Sequence, residues 1–156
     1  MTPRIGHGFD IHPFTDEPGR RLVLGGVVFP GPGLTGHSDA DVVAHAICDA
    51  LLGAAGLGDI GSHFPDTDPA FEGADSMDLL ARVVLSVTAR FEISNVDTTV
   101  VLEAPKLAHH REEMQRRLEE VVGAPVSVKA KRAEALGALG RREGIACFAV
   151  ALLVPR

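Results

Sequence analysis

The segment Ile145–Val154, IACFAVALLV, runs for ten residues without a polar side chain. No apolar run in the chain reaches the roughly 18 residues that a membrane-spanning helix needs, so this segment belongs to a folded core. It predicts a strand over 144–154. Successive strand residues point to opposite faces, so this strand is apolar on both and needs cover on both. A domain of this size has three helices of useful length, enough for one sheet face. The other face is expected to pack against further copies of the chain.

The remaining pattern supplies the sheet and its helices. Arg4–His12 alternates loosely and predicts a strand ending in polar residues. The segments 21–24 and 27–29 flank Gly25-Gly26, a hairpin signal, and Pro30-Gly31-Pro32-Gly33 is a loop. Ser38 is expected to cap a helix, with Asp39 and Asp41 at its positive end and Val43, Ile47, Ala50, Leu51 and Ala54 inward. Gly56 and Gly58 end it. The polar connection 59–75 is long for a loop without a periodic pattern, and such loops are often functional. A second helix starts at Asp75 or Ser76 and runs to about Arg90, with Leu79, Leu80, Val83, Val84 and Val87 inward. A strand over 93–103, a third helix over 106–122 and a strand over 126–131 follow. The expected fold is a single α+β domain over 1–156, an α-β sandwich with a mixed sheet covered on one face by helices.

Composition narrows the function. The chain has 156 residues, 46% of them hydrophobic, with 4% aromatic and neither Trp nor Tyr, which argues against base-stacking platforms. A net charge of −6 makes duplex DNA an unsuitable partner. Neither a nucleic acid nor a membrane partner is expected. Cys48 and Cys147 lie in apolar runs outside any CxxC, as reduced buried thiols do. The first residues, MTPRIGHGFD, lack the apolar stretch of a signal peptide. The expected location is the cytoplasm.

Asp10-Ile11-His12 places two ligand-type side chains at i and i+2, on one side of an extended strand. His45, on the helix after Ser38, points away from the Val43/Ile47/Ala50 stripe and shares a polar face with Asp41 and Asp49. Asp10, His12 and His45 can converge as three ligands, leaving zinc a fourth position for substrate, the arrangement of a catalytic site. A polar strand end with an ordinary hydrogen-bonded histidine is the competing reading. His37-Ser38-Asp39 lies at a helix start, where backbone N–H groups favour an anion. Lys129, Lys131 and Arg132 precede Glu134, and Arg141 and Arg142 follow. This basic stretch beside one carboxylate suits a di- or triphosphate with a hard cation on Glu134.

Five ordered stretches carry a resemblance: RIGHGFDIHPF, the GGV of the hairpin, GHSDADVVAHAICDALLGAAGLGDIGSHFPDTDPAFEGADS, NVDTTVVLEAPK and LGALGRREGIACFAVALL. Together they closely resemble the 2-C-methyl-D-erythritol 2,4-cyclodiphosphate synthases of the non-mevalonate isoprenoid pathway. The resemblance implies a homotrimer with active sites between adjacent subunits. Its substrate would be 4-diphosphocytidyl-2-C-methyl-D-erythritol 2-phosphate, cyclised with release of CMP. By similarity, Zn2+ or another divalent transition metal sits on Asp10, His12 and His45, which with Asp10 and His12 also facing substrate begins the site. Glu134 carries a second metal, Mg2+ or Mn2+. His37 and Ser38 contact the erythritol phosphate, His37 helping to stabilise the transition state. Asp59, Ile60 and Gly61 line the erythritol pocket with Phe64, Pro65, Asp66, Thr67 and Asp68. From the neighbouring subunit, Leu102, Glu103, Ala104, Pro105, Lys106, Leu107 and Ala108 hold the cytidine diphosphate. Ala130, Lys131, Arg132, Ala133 and Glu134 share that task, and Arg141 joins the substrate-binding set.

One stretch departs from the family pattern. Threonines usually stand between Lys-Ala and the Glu, whereas here the order is Lys129-Ala130-Lys131-Arg132-Ala133-Glu134. Arg132, or Lys131 beside it, is expected to supply the transition-state stabilisation of the missing hydroxyl, since a guanidinium fork fits phosphoryl oxygens. The family's Phe after Leu-Gly is Ala138 here, which weakens the basis for an isoprenoid held with Arg141 in the trimer's channel. Two other readings use the same residues. A zinc phosphohydrolase would release inorganic phosphate, and a non-catalytic regulator would bind CDP without turnover.

Overall fold

Two glycines in the first strand decide how closely the longest helix approaches the sheet. The structure, a computed structural model, describes residues 2–156. Strand β1 (Arg4–Pro13) carries helix α1 (Val42–Ala55) on its inner face. A Cβ added to Gly6 would lie 1.9 Å from the Ala50 carbonyl oxygen, and one on Gly8 would lie 1.8 Å from that of Ala46. Strand and helix backbones are therefore in direct contact, which only glycine permits. Ala46 meets Gly8 while Ala50 and Ala54 meet Gly6, so α1 runs antiparallel to β1 and its first turn lies over residues 10 and 12.

The main sheet has the order β1-β6-β4-β5, from β4 (Phe91–Val101), β5 (Val126–Lys131) and β6 (Gly144–Pro155). β6 is antiparallel to both neighbours, and β4 is parallel to β5, so the sheet is mixed. The all-apolar segment is thus an interior strand. A separate hairpin joins β2 (Leu22–Leu24) to β3 (Val27–Phe29). Helices α1, α3 (Ser76–Thr88) and α4 (Arg111–Val122) cover one face, and the short α2 (Ile60–His63) and α5 (Gly137–Gly140) lie in loops. The result is a single α+β domain. Leu51, Leu80, Leu118, Ile145 and Leu153 are fully buried in its core, each contributing roughly 1.5–3 kcal/mol through removal from water.

The opposite face is bare. Ile5, Phe9 and Ile11 of β1 and Phe148, Val150 and Val154 of β6 are exposed there, Ile5 at 74%. Phe9 and Phe148 are register partners with ring centroids 5.0 Å apart.

Two helix starts differ from the sequence expectation. Helix α1 begins at Val42 rather than at Ser38, because Ala40 has φ 58°, a left-handed conformation no helix runs through. Asp41 is the cap. Its carboxylate accepts from the N–H groups of Val43 (3.1 Å), Ala44 (3.2 Å), Gly25 (2.9 Å) and Gly26 (2.8 Å), tying the hairpin turn to the helix. Burial pushes that carboxyl up to about 6, against the pull of these donors. Helix α4 begins at Arg111, because the chain from Lys106 first turns around buried Leu107, whose carbonyl accepts from His110 N–H at 2.9 Å.

Candidate active site

The alternation that turns Gly6 and Gly8 toward α1 also turns Asp10 and His12 that way, just past the end of the contact. His45, in the first turn of α1, completes the group. Its Nδ1 and His12 Nε2 each lie 3.1 Å from Asp10 Oδ2, and donor atoms of all three residues lie within 4.8 Å of one another. Burial by itself would raise the Asp10 carboxyl, but the bonds and charges of His12 and His45 outweigh it and hold it at about 2. Burial likewise opposes a proton on His12, and Asp10 reverses the balance, so His12 sits above its usual value.

The outer ring nitrogens are also engaged. His12 Nδ1 is 2.6 Å from the Thr35 carbonyl oxygen, and His45 Nε2 is 2.8 Å from Ser76 Oγ and 3.2 Å from Ser38 Oγ. In the neutral His12 ring, Nδ1–H donates to this carbonyl and leaves the Nε2 lone pair facing Asp10. Two imidazoles and one carboxylate, aimed inward and fixed from behind, suit a divalent transition metal with an open position. Among the described residues this is the one such cluster of three donors.

The triad opens into a cavity of about 430 Å³, lined also by His37, Ser38, Ile60, Gly61, Phe64, Pro65 and Asp66. The loop 34–38 is braced by Arg20, whose Nε donates to the Leu34 carbonyl (2.8 Å) and Nη2 to those of Gly36 (2.7 Å) and Ser38 (2.6 Å). His37 Nε2 donates to the Asp68 carbonyl at 2.9 Å. His37 therefore meets an anion as a donor only through a protonated Nδ1, or after releasing Asp68.

A second cavity, about 360 Å³, lies at the other edge of the sheet. Leu102, Glu103, Pro105, Lys106, Leu107, Ala108, Ala130, Lys131, Arg132 and Arg142 line it. Asp10, Cys147, Val100 and Ala130 are successive register partners across the sheet, so Ala130 stands three strand spacings from Asp10, about 14 Å. Arg132 donates to Glu103 Oε2 from Nε (3.2 Å) and Nη2 (2.9 Å), while Ala133 N–H donates to Oε1 (2.8 Å). The Arg132 bonds hold the Glu103 carboxyl below the usual range. Lys106, Lys131 and Arg142 make no ion pair among the described residues, which leaves three free cations on a small apolar cavity. A larger adjoining cavity of about 580 Å³ shares Pro105 and Arg142 but holds no donor cluster.

Comparison with known proteins places the chain in a family. The model of the YgbB family matches residues 3–154. The chain belongs to the YgbB family. A Pseudomonas putida (strain W619) protein named 2-C-methyl-D-erythritol 2,4-cyclodiphosphate synthase is 55% identical over 157 residues, covering 97% of this chain and 99% of its own length. A bifunctional IspD/IspF enzyme of Anaeromyxobacter sp. (strain Fw109-5) is 54% identical over 96% of this chain, which spans only 39% of that larger protein. The structure of Plasmodium falciparum IspF in complex with CDP is 34% identical and matches with a TM-score of 0.86, covering 99% of this chain and 97% of that one.

In this YgbB chain the structure gathers most of the expected residues into the two cavities and leaves some outside. Asp59 caps α2, accepting from Ser62 N–H (2.8 Å) and Oγ (2.7 Å), and Asp68 caps the turn Pro69–Phe71 through Ala70 N–H (2.9 Å). Thr67 does not line the triad's cavity. Ala104 lines the larger cavity instead, and Arg141 pairs with Glu143 at 2.8 Å. Glu134 is exposed, in a left-handed turn at φ 53°, and is not part of the triad's cluster. Sequence reading did not assign Ser76, Arg20, Phe71 or Leu79 to the site, whereas Arg142 was already part of the basic run expected to meet phosphate.

Proposed function

We propose that the chain, as one domain over 1–156, cyclises 4-diphosphocytidyl-2-C-methyl-D-erythritol 2-phosphate to 2-C-methyl-D-erythritol 2,4-cyclodiphosphate and CMP. An oxygen of the 2-phosphate forms a bond to the β-phosphorus, and the bond from that phosphorus to the oxygen bridging to the α-phosphate breaks. CMP leaves with that oxygen. The observation that carries this reading is the pairing of a two-His, one-carboxylate cluster with a cation-lined cavity at the same end of one sheet, on opposite edges.

Attack within one molecule needs alignment and charge neutralisation more than acid–base help. A divalent metal held by Asp10, His12 and His45, with Mg2+ or Mn2+ on Glu134, would supply Lewis-acid charge to the phosphate oxygens. His37 and Ser38 orient the 2-phosphate end. Ile60, Gly61, Phe64, Pro65 and Asp66 enclose the erythritol, with Asp59 and Asp68 capping turns of that loop. Lys106, Lys131 and Arg142 neutralise the diphosphate, and Lys131, or Arg132 on release from Glu103, stabilises the pentacoordinate phosphorus. The two halves lie at opposite edges with β6 and β4 between them. This supports a homotrimer in which the triad of one copy faces the basic cavity of the next. The bare apolar face of β1 and β6 supports the same assembly. The free, buried Cys48 and Cys147 suit a cytoplasmic enzyme.

The test is incubation of purified protein with the cytidylyl substrate and Mg2+, with and without a zinc chelator. The reading expects CMP and the cyclic diphosphate, suppressed by the chelator. No CMP under any condition overturns it, and inorganic phosphate in place of the cyclic product makes the chain a phosphohydrolase.

A further inference from the structure

His45 is not held by its metal-facing side alone. Behind it lies a chain of bonds through Ser76, with Ser38 Oγ as a second, longer contact to the same nitrogen at 3.2 Å. Asp39 accepts three donors: Asp41 N–H at 3.1 Å on Oδ1, Ser76 N–H at 3.1 Å on Oδ2, and the Ser76 hydroxyl on Oδ1. A carboxylate only accepts, so the single Ser76 proton is spent on Asp39. Toward His45 Nε2, at 2.8 Å, Ser76 Oγ can then only accept. The proton of a neutral His45 ring therefore sits on Nε2, and the Nδ1 lone pair points at Asp10 and the centre of the triad. Ser76 is fully buried and His45 nearly so, so water does not compete for these bonds.

We infer that Ser76 and Asp39 are positioning residues for the metal, which fix the tautomer of His45 and lend its Nδ1 negative character through the Ser76 hydroxyl. Ser76 is the first residue of α3, so the site draws on an element whose other residues build the core. Asp39 lies on the far side of the wall, bordering a surface groove with Arg21 and Asp75. His12 has a simpler arrangement, a single backbone carbonyl behind it. The two histidines thus turn opposite ring nitrogens toward Asp10, Nε2 from His12 and Nδ1 from His45, and would offer these to a bound ion.

The inference rests on the metal reading of the triad, and the experiment separates the two. Zn2+ affinity is measured by competition with a chromogenic chelator for wild type, Ser76→Ala and Ser76→Thr. Long-range 1H–15N correlation on the Zn2+-loaded wild type and Ser76→Ala reads which ring nitrogen carries the proton. Ser76→Ala is expected to bind Zn2+ about 10- to 100-fold more weakly, the usual cost of removing a partner behind a ligand. Ser76→Thr, which keeps the hydroxyl, restores most of that affinity. In wild type His45 carries its proton on Nε2, slow to exchange. In Ser76→Ala that proton exchanges quickly, while the Nδ1–H of His12 is unchanged, which general damage to the fold would not allow. Tight wild-type binding retained in full by Ser76→Ala overturns the inference. So does a wild-type His45 protonated on Nδ1, a reading that needs no variant. Wild type that binds no Zn2+ overturns the metal reading and the inference with it.

Discussion

Replacing Gly8 by alanine tests whether the seating of α1 on β1 is what builds the metal centre. The new Cβ would lie 1.8 Å from the Ala46 carbonyl oxygen and 2.8 Å from Ala50 N, and both obstacles are backbone. The first contact has to open to at least 3.0 Å, so α1 retreats from β1 by about 1.2 Å. His45 precedes Ala46 in the same turn and moves with it. Metal–ligand distances tolerate only about 0.2 Å, so the retreat is several times what the triad can absorb. Zn2+ affinity is expected to fall by at least about 100-fold, beyond the usual effect of losing a partner behind a ligand. Overpacking of this kind costs about 1–3 kcal/mol. In a domain of this length that lowers Tm by about 2–12 °C. Chelator competition reads the affinity, and calorimetry of the metal-free protein reads Tm. Gly53→Ala is the control. It adds the same methyl to the same helix, but its nearest neighbour is the His7 carbonyl at 3.9 Å. It should stabilise the chain by up to about 1 kcal/mol, the helix-propensity gain of Ala over Gly, and leave Zn2+ binding unchanged. A Gly8→Ala protein with wild-type affinity and Tm would show that the Gly8 contact does not set the position of His45.

The metal-free protein should show a stability optimum from the Asp10–His12 pair. Asp10 is depressed from 3.8 to about 2, so its contribution is complete above 3.8 and lost as pH falls toward 2; His12 is raised from 6.5, so its contribution is complete below 6.5 and lost as pH rises through the elevated value. Melting against pH should therefore show this contribution fullest between 3.8 and 6.5, and added Zn2+ should bind more weakly as the His12 proton returns. Arg132→Ala and Lys131→Ala are each expected to lower kcat, by about 100-fold or more for whichever carries the role, the range for losing one donor to a transition state. If both kept wild-type turnover and substrate affinity in steady-state kinetics, the proposed role of this stretch would be wrong. Burial pushes the thiols of Cys48 and Cys147 upward, so neither should react with a thiol-directed chromogen until the chain unfolds.

Much of the fold was legible because it rests on local pattern. The hairpin around Gly25-Gly26, the helix from Ser76, the strand over 126–131 and the two-faced last strand follow from turn chemistry and periodicity. The start of α1 was not legible. Ser38 is a good capping residue, and nothing local shows that Ala40 adopts φ 58° or that Asp41 is held by a hairpin sixteen residues upstream. The triad was visible from its i, i+2 spacing on one strand. Its support was not, because Ser76 lies 31 residues from His45 and Arg20 reaches carbonyls 14 to 18 residues away. The basic run read as one block in the sequence, whereas Lys129 is taken by Asp97, Arg132 by Glu103 and Arg141 by Glu143, partners set by sheet register and loop geometry.

The row that runs from Asp10 through Cys147 and Val100 to Ala130 has a genetic consequence. If each working site in the proposed trimer joins the triad of one copy to the basic cavity of the next, two impaired variants can complement each other. His45→Ala lacks only the first half and Lys131→Ala only the second. Any trimer containing both kinds has one boundary at which intact halves meet. Random co-assembly in equal amounts would therefore restore about a quarter of the sites, and separate assembly before mixing would restore none.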